Sequence, residues 1–240
     1  MQPKMSLLSQ SEVFLGFLEG WTSSLPAMRL ADAMPQPASA AILSIDVIEG
    51  FCSQGALASP RVGGIVTPIA RLMQAAWAAG LRQVVLLQDT HEPDAVEFGA
   101  WPPHCVRGSA ESQAVAALRA LPFYNQMTVF PKNSISARWG TGLGNWLADQ
   151  PAIDTFIVVG DCTDLCTYQL AMDLRLEANA RQLIRRIILP ADCVDTYDRT
   201  VETAQKEGGL PHPASLLHAV FLYHMALNGL EVVRTISSGK

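Results

Sequence analysis

Five cysteines, five histidines and a few acids next to apolar runs carry the chemistry open to this chain. Cys166 is the leading candidate nucleophile. It falls in the first turn of a segment with helical patterning, where unpaired backbone N–H groups and the positive end of the helix dipole favour a thiolate. The same N–H groups can hold a developing oxyanion. Cys162 lies in the turn before that helix, where its backbone N–H matters more than its sulfur. A thiol needs a base and a counter-charge. Asp46, at the end of an apolar run, can take the thiol proton if desolvation raises its pKa. Lys132 can hold thiolate and Asp46 in one charge network. Each residue also has a plainer reading: Cys166 as a small core residue, Asp46 as a turn or cap residue, Lys132 as a solvated surface lysine.

A second constellation offers metal ligands. Asp89-Thr90-His91 is followed by Glu97 and His104, so carboxylates and imidazoles crowd one short stretch. In an extended segment, Asp-x-His puts two ligands on one side because side chains alternate. One divalent ion bound through mixed N and O donors would be Zn²⁺, with Fe²⁺ or Mn²⁺ as alternatives. The plainer reading is a polar loop with unrelated histidines. His212, His218 and His224 lie on or before the last predicted helix and read as packing or surface residues.

These residues can cooperate only if the surrounding elements bring them together. Apolar runs predict strands over residues 41–45, 84–87, 127–130, 156–159, 187–189 and 231–235. Between them, helical spacing or turn signals predict helices over 65–79, 111–120, 143–149, 164–178 and 214–228, with Thr163 as the N-cap of the fourth. Six strands alternating with helices call for an α/β fold with a parallel six-stranded sheet and right-handed crossovers. Ligands of such sheets bind beyond the carboxyl ends of the strands. Asp46, Asp89, Lys132 and the Gly160-Asp161-Cys162 turn all follow strand ends, so one rim should carry an acid, a cation and thiols.

The whole chain sets further bounds. Its 240 residues, 49% hydrophobic and 16% charged, suffice for one large core. A net charge of −5 argues against nucleic acid or an anionic membrane as main partner. The odd number of cysteines fits a reducing, cytoplasmic setting better than a disulfide framework. The apolar stretch at residues 13–18 is too short and too acidic at its flanks for a signal sequence, and no run is long enough to span a bilayer. Residues 1–38 read as an extension, a short helix near 11–21 and then a linker, ahead of a domain at 39–240. The partners expected are a small-molecule substrate and further copies of the same chain.

Beyond residue 41 the sequence resembles the isochorismatase-like cysteine hydrolases, and among them the nicotinamidases. The likeness rests on Ile45-Asp46-Val47-Ile48-Glu49-Gly50-Phe51-Cys52, on Asp89-Thr90-His91, on Trp101-Pro102-Pro103-His104-Cys105-Val106-Arg107-Gly108, on Lys132, and on Val159-Gly160-Asp161-Cys162-Thr163-Asp164-Leu165-Cys166. The tail from His212 to Ser237 is similar to the end of the plant-type members. The resemblance implies a three-layer α/β/α Rossmann-like fold and hydrolysis of a small amide through an Asp46, Lys132, Cys166 triad. It further implies a cis peptide at Asp161–Cys162, oxyanion donors at Cys162 and Cys166, and a metal held by Asp89, His91 and His104, with Glu97 at the place of a ligand some members use. Phe51 and Trp101 match the aromatic substrate pocket, and Trp139 matches it more loosely. Asp161 and Cys162 depart from the small or apolar pair common in that turn. Two rivals stand beside this expectation: a relative acting on another amide or on isochorismate, and a catalytically silent scaffold.

Overall fold

The computed structural model describes residues 6–239, and among them the strands are β1 Ala27–Arg29, β2 Ala40–Ile45, β3 Gln83–Asp89, β4 Thr128–Lys132, β5 Thr155–Asp161, β6 Arg186–Pro190, β7 Val194–Asp195, β8 Glu231–Val233 and β9 Thr235–Ser237. The central sheet runs β4-β3-β2-β5-β6-β8, with β7 beside β5, and all of these pairings are parallel. It therefore has seven strands where the sequence pattern predicts six. The extra strand has a simple cause. β5 outruns β6, which pairs with it only at Thr155–Ile157, so Gly160 and Asp161 find Val194 and Asp195 instead.

Burial on both faces explains the near-continuous apolar strands. In β2, Ala40 and Ile42 face one core while Ala41, Leu43 and Ile45 face the other. The first core takes Ile69, Leu72, Met73 and Ala76 from the helix Val66–Ala78. The second takes side chains from the helices Leu143–Asp149, Cys166–Arg181 and Ala214–Leu227. Helix, sheet and helix make the three layers expected.

Of the extension expected at residues 1–38 as a short helix and a linker, residues 1–5 lie outside the described residues, and residues 6–38 hold a helix, a strand and two short helical turns. Ser6 caps a helix Leu7–Ser23 by accepting from the Ser9 N–H. Phe14, Phe17 and Trp21 set their rings against Tyr223 at 5.5, 5.8 and 5.4 Å. Part of the expected linker is β1, which pairs with β9. The strand predicted over 231–235 consequently divides: β8 joins β6, and β9 joins β1 in a separate two-stranded sheet. The helix predicted over 111–120 contracts to Ala116–Arg119. No helix among the described residues is long and apolar enough to cross a membrane.

One glycine is indispensable to the rim. Gly160 has φ +122, and a Cβ there would lie 1.9 Å from the Ile45 carbonyl oxygen. Gly160→Ala is expected to cost about 3 kcal/mol or more, combining a disfavoured φ with a clash against backbone that cannot yield. Urea denaturation checks it; a loss under about 1 kcal/mol would mean that β2 and β5 can part at this point.

Candidate active site

Strand order places the site. β2 starts the sheet in its middle, and the chain winds outward on one side to β3 and β4 and on the other to β5 and β6, so a crevice opens past the carboxyl ends of β2 and β5. Asp46 is the first residue beyond β2. It takes a left-handed conformation, φ 58, uncommon for a residue with a Cβ. Its N–H donates to Leu87 O at 2.8 Å, while its Oδ1 accepts the Asp89 N–H at 2.9 Å. Asp89 and Lys132 are register partners at the ends of β3 and β4. The helix Cys166–Arg181 then sets its first residue over the same rim.

The expected acid, cation and thiol meet here. Lys132 Nζ lies 2.8 Å from Asp46 Oδ2, an ion pair outside hydrogen-bond alignment, and 3.6 Å from Cys166 Sγ. It also donates to Asp89 Oδ1 at 2.5 Å and to Ser134 O at 3.1 Å. All four side chains are buried, Lys132 to 1% exposure, which rules out the solvated surface lysine.

Burial and charge divide the titrations unevenly. Burial, and next the charge of Asp89, push the Asp46 carboxyl up to about 7, with Lys132 opposing. Burial alone would depress Lys132, but Asp46 and Asp89 raise it well above the ordinary lysine range. Burial works against ionised Asp89 too, and there Lys132 and His91 prevail, holding it below the usual carboxylate value. Burial lifts the Cys166 thiol well up, with Lys132 pulling the other way. Of the two acids facing Lys132, Asp89 is thus held toward the charged form and Asp46 toward the neutral one.

Next to this pair lies a cluster of metal-ligand type. Donor atoms of Asp89, His91 and His104 lie within 4.8 Å of one another, all three buried. The histidines are oriented for one role. His91 Nδ1 meets Asn133 Oδ1 at 3.0 Å and His104 Nδ1 meets Pro102 O at 2.8 Å, so the outer nitrogens are committed. Their Nε2 atoms turn to Asp89, at 3.5 and 4.0 Å, and His91 Nε2 is buried without a hydrogen-bond partner. Fixing one ring nitrogen through a second contact is how proteins present the other to a metal. The donor set of two imidazoles and a carboxylate fits one divalent ion.

Two expected residues stand apart from these clusters. Glu97 is not among the converging donors: it sits on a short 3₁₀ turn, Val96–Gly99, and not on the extended segment that alternates Asp89 and His91. Its charge still reaches His91. Burial lowers the basicity of that ring, and Asp89, Asn133 and Glu97 together raise it. Trp139, expected in the aromatic pocket, is 76% exposed. Its loop is anchored through the neighbouring Arg138, which pairs with Glu177 at 3.0 Å, and the indole is left outward. Phe51 is buried 5.6 Å from the His104 ring, and Trp101 packs edge-on to Tyr197 at 6.3 Å.

The turn before Cys166 carries the cis peptide expected at Asp161–Cys162. Cys162 O accepts from the Leu165 and Thr167 N–H groups at 3.0 and 3.1 Å. Thr163 does not cap the helix as predicted; the N-cap position falls to Leu165, which offers no side-chain bond. Residue types and spacing did not reveal Asn133, the carbonyls of Pro102 and Ser134, or the double contact of Asp89 with Lys132 and the histidines. No spacing rule links 133 to 91 or 102 to 104 through a carbonyl.

Known proteins resemble this chain in sequence and in fold. The family described as Isochorismatase domain matches residues 40–208. Nicotinamidase 1 of Arabidopsis thaliana is 27% identical over 215 residues, 83% of this chain and 87% of its own length. The crystal structure of N-carbamoylsarcosine amidase from Thermoplasma acidophilum superposes with a TM-score of 0.60 at 25% identity, covering 84% of this chain and 98% of that one. A cysteine hydrolase from Pseudomonas syringae pv. phaseolicola gives a TM-score of 0.68 at 23% identity, over 90% of this chain and 94% of that one, a likeness of fold. With the match running from β2 through the Cys166 helix and on to Gly208, the chain belongs to the isochorismatase domain family.

Proposed function

We propose that this chain is a cysteine amidohydrolase that converts nicotinamide, or a closely similar small aromatic amide, to the acid and ammonia. What carries the reading is the junction of two clusters through Asp89, whose carboxylate faces Lys132 of the Asp46, Lys132, Cys166 group and also His91 and His104. The likeness to Nicotinamidase 1 supports the choice of amide.

Asp46 takes the Cys166 proton and the sulfur attacks the amide carbon. Lys132 keeps the anionic sulfur and Asp46 within one field, and the N–H groups of Cys162 and Cys166 receive the charge growing on the oxygen. Collapse breaks the C–N bond, Asp46 returns its proton to the departing nitrogen, and ammonia leaves a thioester on Cys166. Water, deprotonated by Asp46, then releases the acid and restores the thiol. Asp89, His91 and His104 would hold the divalent ion, and Glu97 lies outside that converging set. Bound there, the ion supplies a Lewis acid able to fix a pyridine nitrogen. Phe51 and Trp101 flank the ring.

A panel of nicotinamide, pyrazinamide, N-carbamoylsarcosine and biuret, with ammonia release and metal content measured on one preparation, tests this. One ion per chain and preference for the pyridine amide are expected, together with loss of turnover on chelation and recovery on adding Zn²⁺, Fe²⁺ or Mn²⁺. Turnover of a carbamoyl compound alone, untouched by chelation, would move the chain to a metal-free activity of the same family. No ammonia from any amide would favour the silent scaffold.

A further inference from the structure

Two histidines of the carboxy-terminal segment grip consecutive residues of the Cys166 turn. His218 Nδ1 lies 2.9 Å from Thr163 Oγ1, and His212 Nε2 lies 2.7 Å from Asp164 Oδ2. Both lie beyond the family match, which ends at residue 208. The second oxygen of Asp164 is taken as well, since the Thr196 hydroxyl donates to Oδ1 at 2.6 Å.

His212 is itself held on three sides. Its backbone exchanges hydrogen bonds with Arg199 in both directions, at 2.7 and 2.9 Å. Its Nδ1 donates to Tyr197 O at 2.8 Å, because a carbonyl can only accept. The Tyr197 ring stacks on the imidazole at 3.8 Å between centroids and 13° between planes, and Tyr197 also meets Trp101 edge-on. His218 rides on the helix Ala214–Leu227, whose start is tied down by Asp198 accepting from the Ala214 N–H at 2.8 Å.

What this grip does follows from the helix it precedes. Thr163 and Asp164 are residue types that ordinarily cap a helix start by accepting from its free N–H groups. Here neither does so, and the cap position carries no side-chain bond. Their side chains point instead to His218, His212 and Thr196. The Leu165 and Thr167 N–H groups are taken by Cys162 O, no side-chain cap competes for the Cys166 N–H, and the Thr163 and Asp164 side chains are fixed from outside the turn.

We propose that His212 and His218 are positioning residues of the Cys166 turn. They hold Asp164 and Thr163 so that the Cys162 and Cys166 N–H groups and the Cys166 sulfur keep one geometry. The inference rests on the proposed amide hydrolysis for its rate readout, and on the fold alone for its thiol readout.

The test uses the full, metal-loaded chain with His212→Leu, His212→Gln, His218→Leu and His218→Asn. Gln offers a donor near the place of Nε2, and Asn offers a polar atom near that of Nδ1. Each Leu variant should slow single-turnover acylation by roughly 10- to 100-fold with KM little changed, while Gln and Asn recover most of the rate. His212→Leu should add nothing in an Asp164→Ala background, where the contact between the two side chains is already gone. Alkylation of Cys166 by iodoacetamide, followed on its own peptide by mass spectrometry, should slow by a similar factor. Equal losses in the Leu and conservative variants, additive losses with Asp164→Ala, or a rise in KM at constant kcat would each overturn the proposal. If the parent chain releases no ammonia, the amidase reading fails, and alkylation decides alone: unchanged or faster modification in both Leu variants refutes the grip. Should the Leu variants not fold, Thr163→Val removes the hydroxyl at nearly constant shape and must slow acylation; a normal rate there also refutes it.

Discussion

Cys166→Ala is expected to lower amide turnover by about 10⁴-fold or more, since the remaining donors and cation have no atom on which to form the acyl intermediate. The fold should survive. Cys166 is buried but small, and the change removes one sulfur from a site crowded with charge, so stability should stay within about 1 kcal/mol. Ligand affinity should persist too, because Phe51, Trp101 and the Asp89, His91, His104 cluster are untouched. Turnover, calorimetric binding of nicotinate and a denaturation curve separate the three quantities. A variant that still hydrolyses nicotinamide at the parent rate would remove Cys166 from the mechanism and leave Cys162 as the thiol to examine.

Asp46→Asn and Lys132→Met should both slow acylation, by about 10²–10⁴-fold for a lost general base, yet part company in stability. Lys132 is a fully buried cation between two buried acids. Deleting it strands them, and one must take up a proton or the chain must open; removing one partner of such a buried set costs about 3–5 kcal/mol. Asp46→Asn relieves the repulsion between Asp46 and Asp89 and keeps an oxygen for the Asp89 N–H, so its cost should be far smaller. Urea midpoints with parallel acylation rates provide the comparison. Equal stability of the two variants would mean that the lysine charge is answered elsewhere, and a proportional loss of ligand affinity in both would make them substrate binders instead of base and cation.

The rim is legible in the amino-acid sequence because strand ends are written in local pattern. An apolar run that stops on an acid, as at Ile45 and Asp46 or Leu87 through Asp89, marks both a buried strand and its carboxyl end. Parallel topology then brings all such ends to one side, which is why Asp46, Asp89, Lys132 and Cys166 converge as expected. The same logic failed for β7, where pairing was decided by how far β5 outruns β6 and not by any apolar pattern in two residues. Strand-end patterning says nothing of Trp139, which the family resemblance alone suggested and which is exposed in a loop whose neighbour Arg138 pairs with Glu177.

The amino-acid sequence by itself determined the alternation of strand and helix, the candidate acid, cation and thiol, and the nearness of Asp89, His91 and His104, because these depend on residue type and short-range periodicity. Tertiary structure alone decided the partners of those groups. Asn133 orients His91 across a sheet edge, Asp89 serves Lys132 and the histidines together, and His212 and His218 reach back to Asp164 and Thr163 from about fifty positions away. Read along the chain, these two histidines were packing or surface residues; folded, they contact the turn that carries Cys166. The physical reason is that a hydrogen bond is set by distance in space, and separation along the chain leaves no periodic trace of a single long-range contact.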